Sequence, residues 1–468
     1  MISINSFVRI AVLAAAFDLA AADPPANAGD VTFLKDVEAK KSAEAAAQAW
    51  AKVPEILARI VPPTFRPQDF VITGYGAKGD GETDCTAAFR RAIDDCNRDG
   101  GGRVIVPAGI FLTGAIHLKS NVNLHLVEGA TIRFSIDPKK YPLVFTRFEC
   151  TEVMNFSPLI YAFAQENIAI TGEGTLDGQG AAWHSWKSSS DTQTLVKMGA
   201  EGVPVAQRIF GEGHKLCPNF VQPMRCRNVL VEGVRIINSP MWVLHPLYST
   251  NVTVRGVTVD TTGPNTDGCD PDSCMDVLIK DCNFSDGDDC IAIKSGRDAD
   301  GRRVNLPCQN VVIQNCTFKA GHGGVGLGSE TAGGIKNAFA EDCHFDSPDL
   351  EMAMRFKTGP ARGGFIENIY LRNCSVKTAQ YGIHMTQRYG SNGASAGSEK
   401  PAVRNIDIRN SSFATLTKAP IFIEGYSADL KITDLTIADC VFEQTKNKSV
   451  VTNASRIFLS GVKNSGLE

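Results

Sequence analysis

The sequence predicts an all-β fold, a right-handed parallel β-helix (a solenoid) with an N-terminal capping helix. Three observations predict it. A seven-residue segment recurs at Asn228–Val234, Asn251–Val257, Asp276–Cys282, Asn310–Cys316, Asn337–Cys343, Asn368–Cys374, Asn405–Ser411 and Asp434–Cys440. Within each copy apolar residues alternate, the pattern of a short half-buried strand. Between copies, 43 Gly and 22 Pro in the chain suit frequent turns, and no helical period intervenes. Copies 23 to 37 residues apart, each too small to bury an apolar face alone, must stack into coils. A propeller is the alternative, but each blade would need about 40 regular residues and four strands.

From the N-terminus, Arg9, the apolar run Ile10–Phe17 and Ala20–Ala22 read as a secretory signal over residues 1–22. A helical extension over 23–67 follows, with one helix expected in 34–60 as a second cap or a tether. The β-helix is expected to span 68–468. Thr83 to Arg98, apolar at Ala87, Phe89, Ala92, Ile93 and Cys96, reads as an amphipathic helix covering the first coil. An open solenoid end exposes strand edges and so needs such a cap. Earlier coils begin at Val122–Leu126 and Ile168–Gly172, where alternation is clear. Two stretches break the repeat, Ile136–Leu159 and Ser391–Pro401, and such segments emerge from solenoids as loops.

Composition narrows the function. The net charge of −4 gives no global field to hold nucleic acid, and no apolar stretch after residue 25 is long enough to cross a membrane. Fourteen cysteines, several at one repeat position, read as buried thiols rather than a disulfide scaffold. The expected setting is periplasmic or secreted and the expected state a monomer.

Four segments place charge or histidine where the repeat otherwise calls for Val, Ile and Asn. They are Asn265–Gly268, Gly287–Cys290, Gly321–Gly323 and Arg355–Lys357. Asp288 and His322 share one repeat phase, twelve residues after Asp276 and Asn310, so adjacent coils place them about one strand spacing apart. Asp267 joins them if the Thr262–Asn265 turn absorbs its later phase. Asp289 joins if the chain bends at Gly287, since neighbouring strand residues face opposite sides. Clustered carboxylates raise one another's pKa, which is costly for structure and useful for proton transfer. Glycoside hydrolysis needs such a pair, one carboxyl protonated and one ionised.

Taken together these motifs resemble glycoside hydrolase family 28, the polygalacturonases, whose pattern is Asn-Thr-Asp, Asp-Asp, Gly-His-Gly and Arg-x-Lys. The resemblance runs from about residue 68 to 465 and includes Tyr75–Gly81 and Gly172–Gly178. It implies hydrolysis of α-1,4-galacturonosidic bonds in polygalacturonate, with inversion and without a cofactor or metal. Asp288 would be the general acid, Asp267 and Asp289 would hold and activate water, and His322 would tune the acid. Arg355 and Lys357 would bind the uronate carboxylate, and Tyr389 would stack on the sugar. Lys294 and Arg297, cations just beyond the Asp pair, are expected to touch a second uronate. An inverting site is expected to separate acid and base by ~6.5–9.5 Å. The aromatic insertion 136–159 suggests a wall and hence attack at a chain end. Hydrolysis of rhamnogalacturonan or xylogalacturonan, a β-helical pectate lyase, and a non-catalytic glycan binder are the alternatives.

Overall fold

The computed structural model describes residues 31–33, 37–390 and 397–467. The segment read as a secretory signal and part of the 391–401 stretch lie outside the described residues.

Thirteen parallel strands, from Asp69–Val71 to Ala454–Ser460, pair in chain order to form one flank. A sixteen-stranded sheet supplies two further strips, which merge at Ser375–Thr386. The chain therefore winds from flank to flank and returns one strand further on, as a right-handed parallel β-helix.

The repeat explains the winding. Val229, Val252, Val277, Val311, Ala338, Ile369, Ile406, Leu435 and Ile457 stand in register on successive strands, all buried. Phe284, Phe318 and Phe345 stack inside the same coils, with ring centroids 5.8 and 4.8 Å apart. The repeated Asn and Asp residues adopt φ of 55 to 59°, the left-handed region that short polar side chains tolerate best. Their amides then link coil to coil, Asn337 to Asn310 at 3.2 Å and Asn405 to Asn368 at 2.6 Å. Every cysteine is a buried free thiol.

Helix α1 (Val37–Trp50) and helix α2 (Val53–Arg59) replace the single helix expected over 34–60. They cap neither end. Ala49, Trp50, Val53 and Ile56 pack on the outer face of the thirteen-stranded sheet, against Val312, Phe339 and Tyr370. Ahead of them, Thr32 and Phe33 pair with Ala454 and Ile457, so this segment adds to the edge of the final coil. The first coil is covered by helix α3 (Thr86–Arg98), three residues shorter at its start than expected. Asp84 receives the Thr86 N–H and fixes that start. Ala88 rather than Ala87 completes the buried face.

Insertion 136–159 forms an antiparallel hairpin, Leu143–Phe148 with Thr151–Phe156. Buried Arg147 pairs with buried Asp272 at 2.8 Å, and Glu149 at the hairpin tip pairs with Lys187 and Arg297 at 2.6 Å each. A second insertion, from Gln179 to Phe220, was not anticipated. It holds helix α4 (Asp191–Ala200) and buries Trp183 against Tyr141.

Candidate active site

One strip of the β-helix carries the charged segments. Leu244, Cys269, Ile291, Val325, Met354 and Ile383 are successive buried rungs, and the charged residues lie beside them. Asp288 and Asp289 occupy a bend that ends where the strand Ile291–Ile293 begins. Gly287 permits the bend, since a Cβ there would lie 2.2 Å from the Gly263 carbonyl oxygen. Thus consecutive residues reach one site.

His322, in the strand Gly321–Gly328, lies with Nδ1 3.0 Å from Asp288 Oδ1, as equal phase predicts. Arg355 and Lys357 share one face of Leu350–Lys357 while Phe356 between them is in the core. Arg355 Nη1 donates to Asp289 Oδ1 at 2.7 Å, and Lys357 Nζ lies 2.6 Å from Oδ2. This close approach requires Gly323, where a Cβ would meet Asp289 Oδ1 at 2.7 Å and Arg355 Cβ at 3.0 Å. Tyr389 stands above the pair, its ring centroid 5.1 Å from Lys357 Nζ.

One carboxylate oxygen from each of Asp267, Asp288 and Asp289 lies within 4.8 Å of the other two. That is shorter than the separation expected for inversion, and on separation alone the pair would be assigned to retention. The three differ in surroundings. Asp288 and His322 border the open side, at 20% and 43% side-chain exposure, whereas Asp267 and Asp289 lie below. Burial, then the Asp288 charge, pushes the Asp267 carboxyl up to about 7. Burial also works against the Asp289 charge, but Arg355 and Lys357 outweigh it and hold this carboxyl well below the usual range. For Asp288 burial is opposed by the His322 hydrogen bond, which keeps the carboxyl low and raises the imidazole.

Lys294 does not reach the groove. Its buried ammonium lies 3.4 Å from each of Asp267, Asp270 and Glu330, and 4.4 Å from the Trp242 ring centroid. Arg297 is tied to Glu149 and Asp298. Both cations therefore brace the site's surroundings, because the acids that face them come from other coils and from the hairpin. Asp270, Glu330 and Trp242 were missed in the sequence. The acid-rich run Asp267–Asp272 was a signal for Asp270; nothing local pointed to Trp242 or Glu330.

Acids held in opposite protonation states beside a cation pair are what glycoside hydrolysis requires. The chain belongs to glycosyl hydrolases family 28, whose model matches residues 96–462, and it is a glycosidase. It is 32% identical over 373 residues to a "probable polygalacturonase" of Vitis vinifera, covering 76% of this chain and 71% of that one. It is 30% identical to an exo-poly-alpha-D-galacturonosidase of Dickeya chrysanthemi, over 70% of this chain and 58% of that enzyme. A hyperthermoactive exopolygalacturonase from Thermotoga maritima shares the fold with a TM-score of 0.83. It is 39% identical, and the match covers 88% of this chain and 96% of that one.

Proposed function

We propose that the protein hydrolyses α-1,4-galacturonosidic bonds of polygalacturonate from a chain end, with inversion and no cofactor. The observation that carries this reading is the meeting of three carboxyls with Arg355 and Lys357 beside one exposed histidine. Asp288, the most open of the three acids, is the general acid toward the leaving oxygen. Asp267 and Asp289 hold the attacking water. Asp289 is a poor nucleophile because two cations already occupy its oxygens, which favours inversion over a covalent intermediate. The proton near neutral pH resides with the acid cluster at Asp267. Asp267 and Asp288 titrate as a coupled pair, so that one proton is shared between them and is available to Asp288 for the leaving oxygen, while Arg355 and Lys357 stay on Asp289.

Arg355 offers a fork and Lys357 a point charge to the uronate carboxylate, with Tyr389 as the stacking face. The hairpin 143–156, tied to the site's coil through Arg147–Asp272 and Glu149–Arg297, supports closure of the groove on the side of the earlier coils. We also propose export through residues 1–22 and action as a monomer in the periplasm or outside the cell. No described helix is long and apolar enough to cross a membrane.

Chromatography and proton NMR of the first products from polygalacturonate test the reading. Free β-galacturonic acid with slow loss of viscosity is expected. Mixed oligomers with a rapid viscosity fall refute chain-end action, the α-anomer refutes inversion, and an unsaturated ultraviolet-absorbing product refutes hydrolysis.

A further inference from the structure

Lys294 follows the strand Ile291–Ile293 and lies buried beneath the acids. Its backbone is pinned to the preceding coil, the N–H donating to the Pro271 carbonyl and the carbonyl accepting from Ser273, each at 2.9 Å. The side chain runs over the Trp242 ring and ends among three carboxyls, Asp267 and Asp270 of the preceding coil and Glu330 of the next. One ammonium cannot neutralise three acids. Burial opposes the Glu330 charge, but Lys294, Arg362 and Arg297 outweigh it and keep this carboxyl ionised. Among the described residues Asp270 forms no ion pair except the one with Lys294. Asp267 and Asp270 therefore compete for a single positive charge, and burial raises both carboxyls.

We infer that Lys294 is a positioning residue for hydrolysis, whose fixed ammonium sets how readily Asp267 releases the proton used by Asp288 and thereby sets the upper pH limit of activity. This rests on the roles given to Asp267 and Asp288 above. The ammonium lies 3.4 Å from Asp267 Oδ2, near enough to favour the ionised carboxyl by the equivalent of about 1–3 pH units. The charge stays where it is, since the Lys294 side chain is 3% exposed and an entering substrate cannot draw it away. The other charges facing Asp267 are Asp288 and Asp289, which raise its carboxyl, and Lys357, which lowers it but is bound to Asp289. Asp286 faces it as a carboxyl that burial keeps protonated. Around Lys294 stand Asp270, Glu330 and the Cys150 thiol of the hairpin tip, which burial keeps neutral. Lys294 thus opposes the acids at Asp267 from within the protein, where substrate does not compete for it.

Two measurements on wild type, Lys294→Met and Glu330→Gln test it. One is the pH profile of kcat/KM on polygalacturonate. The other is carbon-13 NMR of protein labelled at the aspartate carboxyls, with the Asp267 signal assigned from Asp267→Asn. Lys294→Met keeps the apolar stem over Trp242 and removes the charge, so the Asp267 titration and the alkaline limb should both move up by about one pH unit or more. Glu330→Gln leaves Arg362 on Asp298 and Arg297 on Glu149 and gives Lys294 one competitor fewer, so both should move down. A side chain that merely filled space would move neither. Opposite shifts in the two variants support the role, whereas an Asp267 titration unchanged in either folded variant, or shifted the same way in both, overturns it. If the carboxyl shifts while the alkaline limb stays, the failure lies in the role given to Asp267, and the proposed pH limit falls with it. Should Lys294→Met not fold, Glu330→Gln decides alone, since an unchanged titration refutes the proposal and a downward shift supports it.

Discussion

Replacing Asp267 by Asn should make the protein more stable at neutral pH while nearly abolishing its activity. Asp267 is buried among Asp288, Asp289 and Asp270, and its carboxyl titrates at about 7 instead of 3.8. Below pH 3.8 the group is protonated whether the chain is folded or not, and it costs nothing. Between about 4 and 7 the folded chain holds a proton that the unfolded chain has lost, so stability declines as pH rises through this window. At about 1.4 kcal/mol per pH unit, the accumulated cost reaches on the order of 4 kcal/mol by pH 8. An Asn keeps the shape without the charge. Lys294 retains Asp270 and Glu330, so the substitution leaves it paired. Urea denaturation at pH 4 and pH 8 reads the effect. The variant should match wild type at the lower pH and exceed it by about 1–4 kcal/mol at the higher, while turnover falls at least ~100-fold. A variant less stable than wild type at pH 8, or a difference independent of pH, refutes the reasoning.

Asp288→Asn should cut kcat by roughly 10²–10⁴-fold with the thermal transition unchanged; activity within tenfold of wild type in a folded variant removes Asp288 as the proton donor. Lys357→Ala should weaken action on unesterified galacturonides and also destabilise by about 2 kcal/mol at pH 6, since Asp289 keeps only Arg355. Because the Asp289 carboxyl is held well below the usual range, that penalty should persist at pH 3 and fade only as pH falls further toward the point where Asp289 protonates in the folded chain; a penalty already lost at pH 4 contradicts it. The pH profile of kcat/KM should fall about tenfold per unit above roughly 7, where the acid cluster gives up its proton; a plateau to pH 9 refutes that assignment. Phe318→Ala, in the middle of a buried three-ring stack, should cost about 3–5 kcal/mol by denaturant titration.

Repeat phase was the most informative feature of the sequence. It placed Asp288 against His322 across a gap of 34 residues, and the two lie in contact. It worked because in-register stacking converts equal offset into spatial adjacency. The same logic placed Arg355 and Lys357 on one face, as period-two strands require. Lys294 was misread because a cation beside a motif looks the same whether its partners are substrate or Asp270 and Glu330 on neighbouring coils. A helix over 34–60 was expected, but its packing site escaped for a related reason: Trp50 and Ile56 announce an apolar face, and nothing local names the sheet that covers it. Acid spacing was also mispredicted, since strand spacing bounds backbones and not the side chains that converge above them.

Convergence of like charges is possible here because the scaffold denies them an exit. The Asp267 carbonyl receives the Val243 N–H, the Asp289 carbonyl receives Gly268, and the Asp288 carbonyl receives His322, each at 2.8–2.9 Å. Four successive coils are thereby clamped to one another through the backbone of the acids themselves. On a free loop, repulsion among three carboxylates would splay the chain and restore ordinary pKa values. In a solenoid, relief would require breaking ladder hydrogen bonds along the whole strip. The repulsion is instead met from the side by Arg355 and Lys357 and from below by Lys294, each reaching one or two acids and none reaching all three. This leaves Asp267 protonated beside an ionised Asp289, so like residues on neighbouring coils hold opposite protonation states. Periodicity thus supplies the asymmetry of the acid cluster as well as the core.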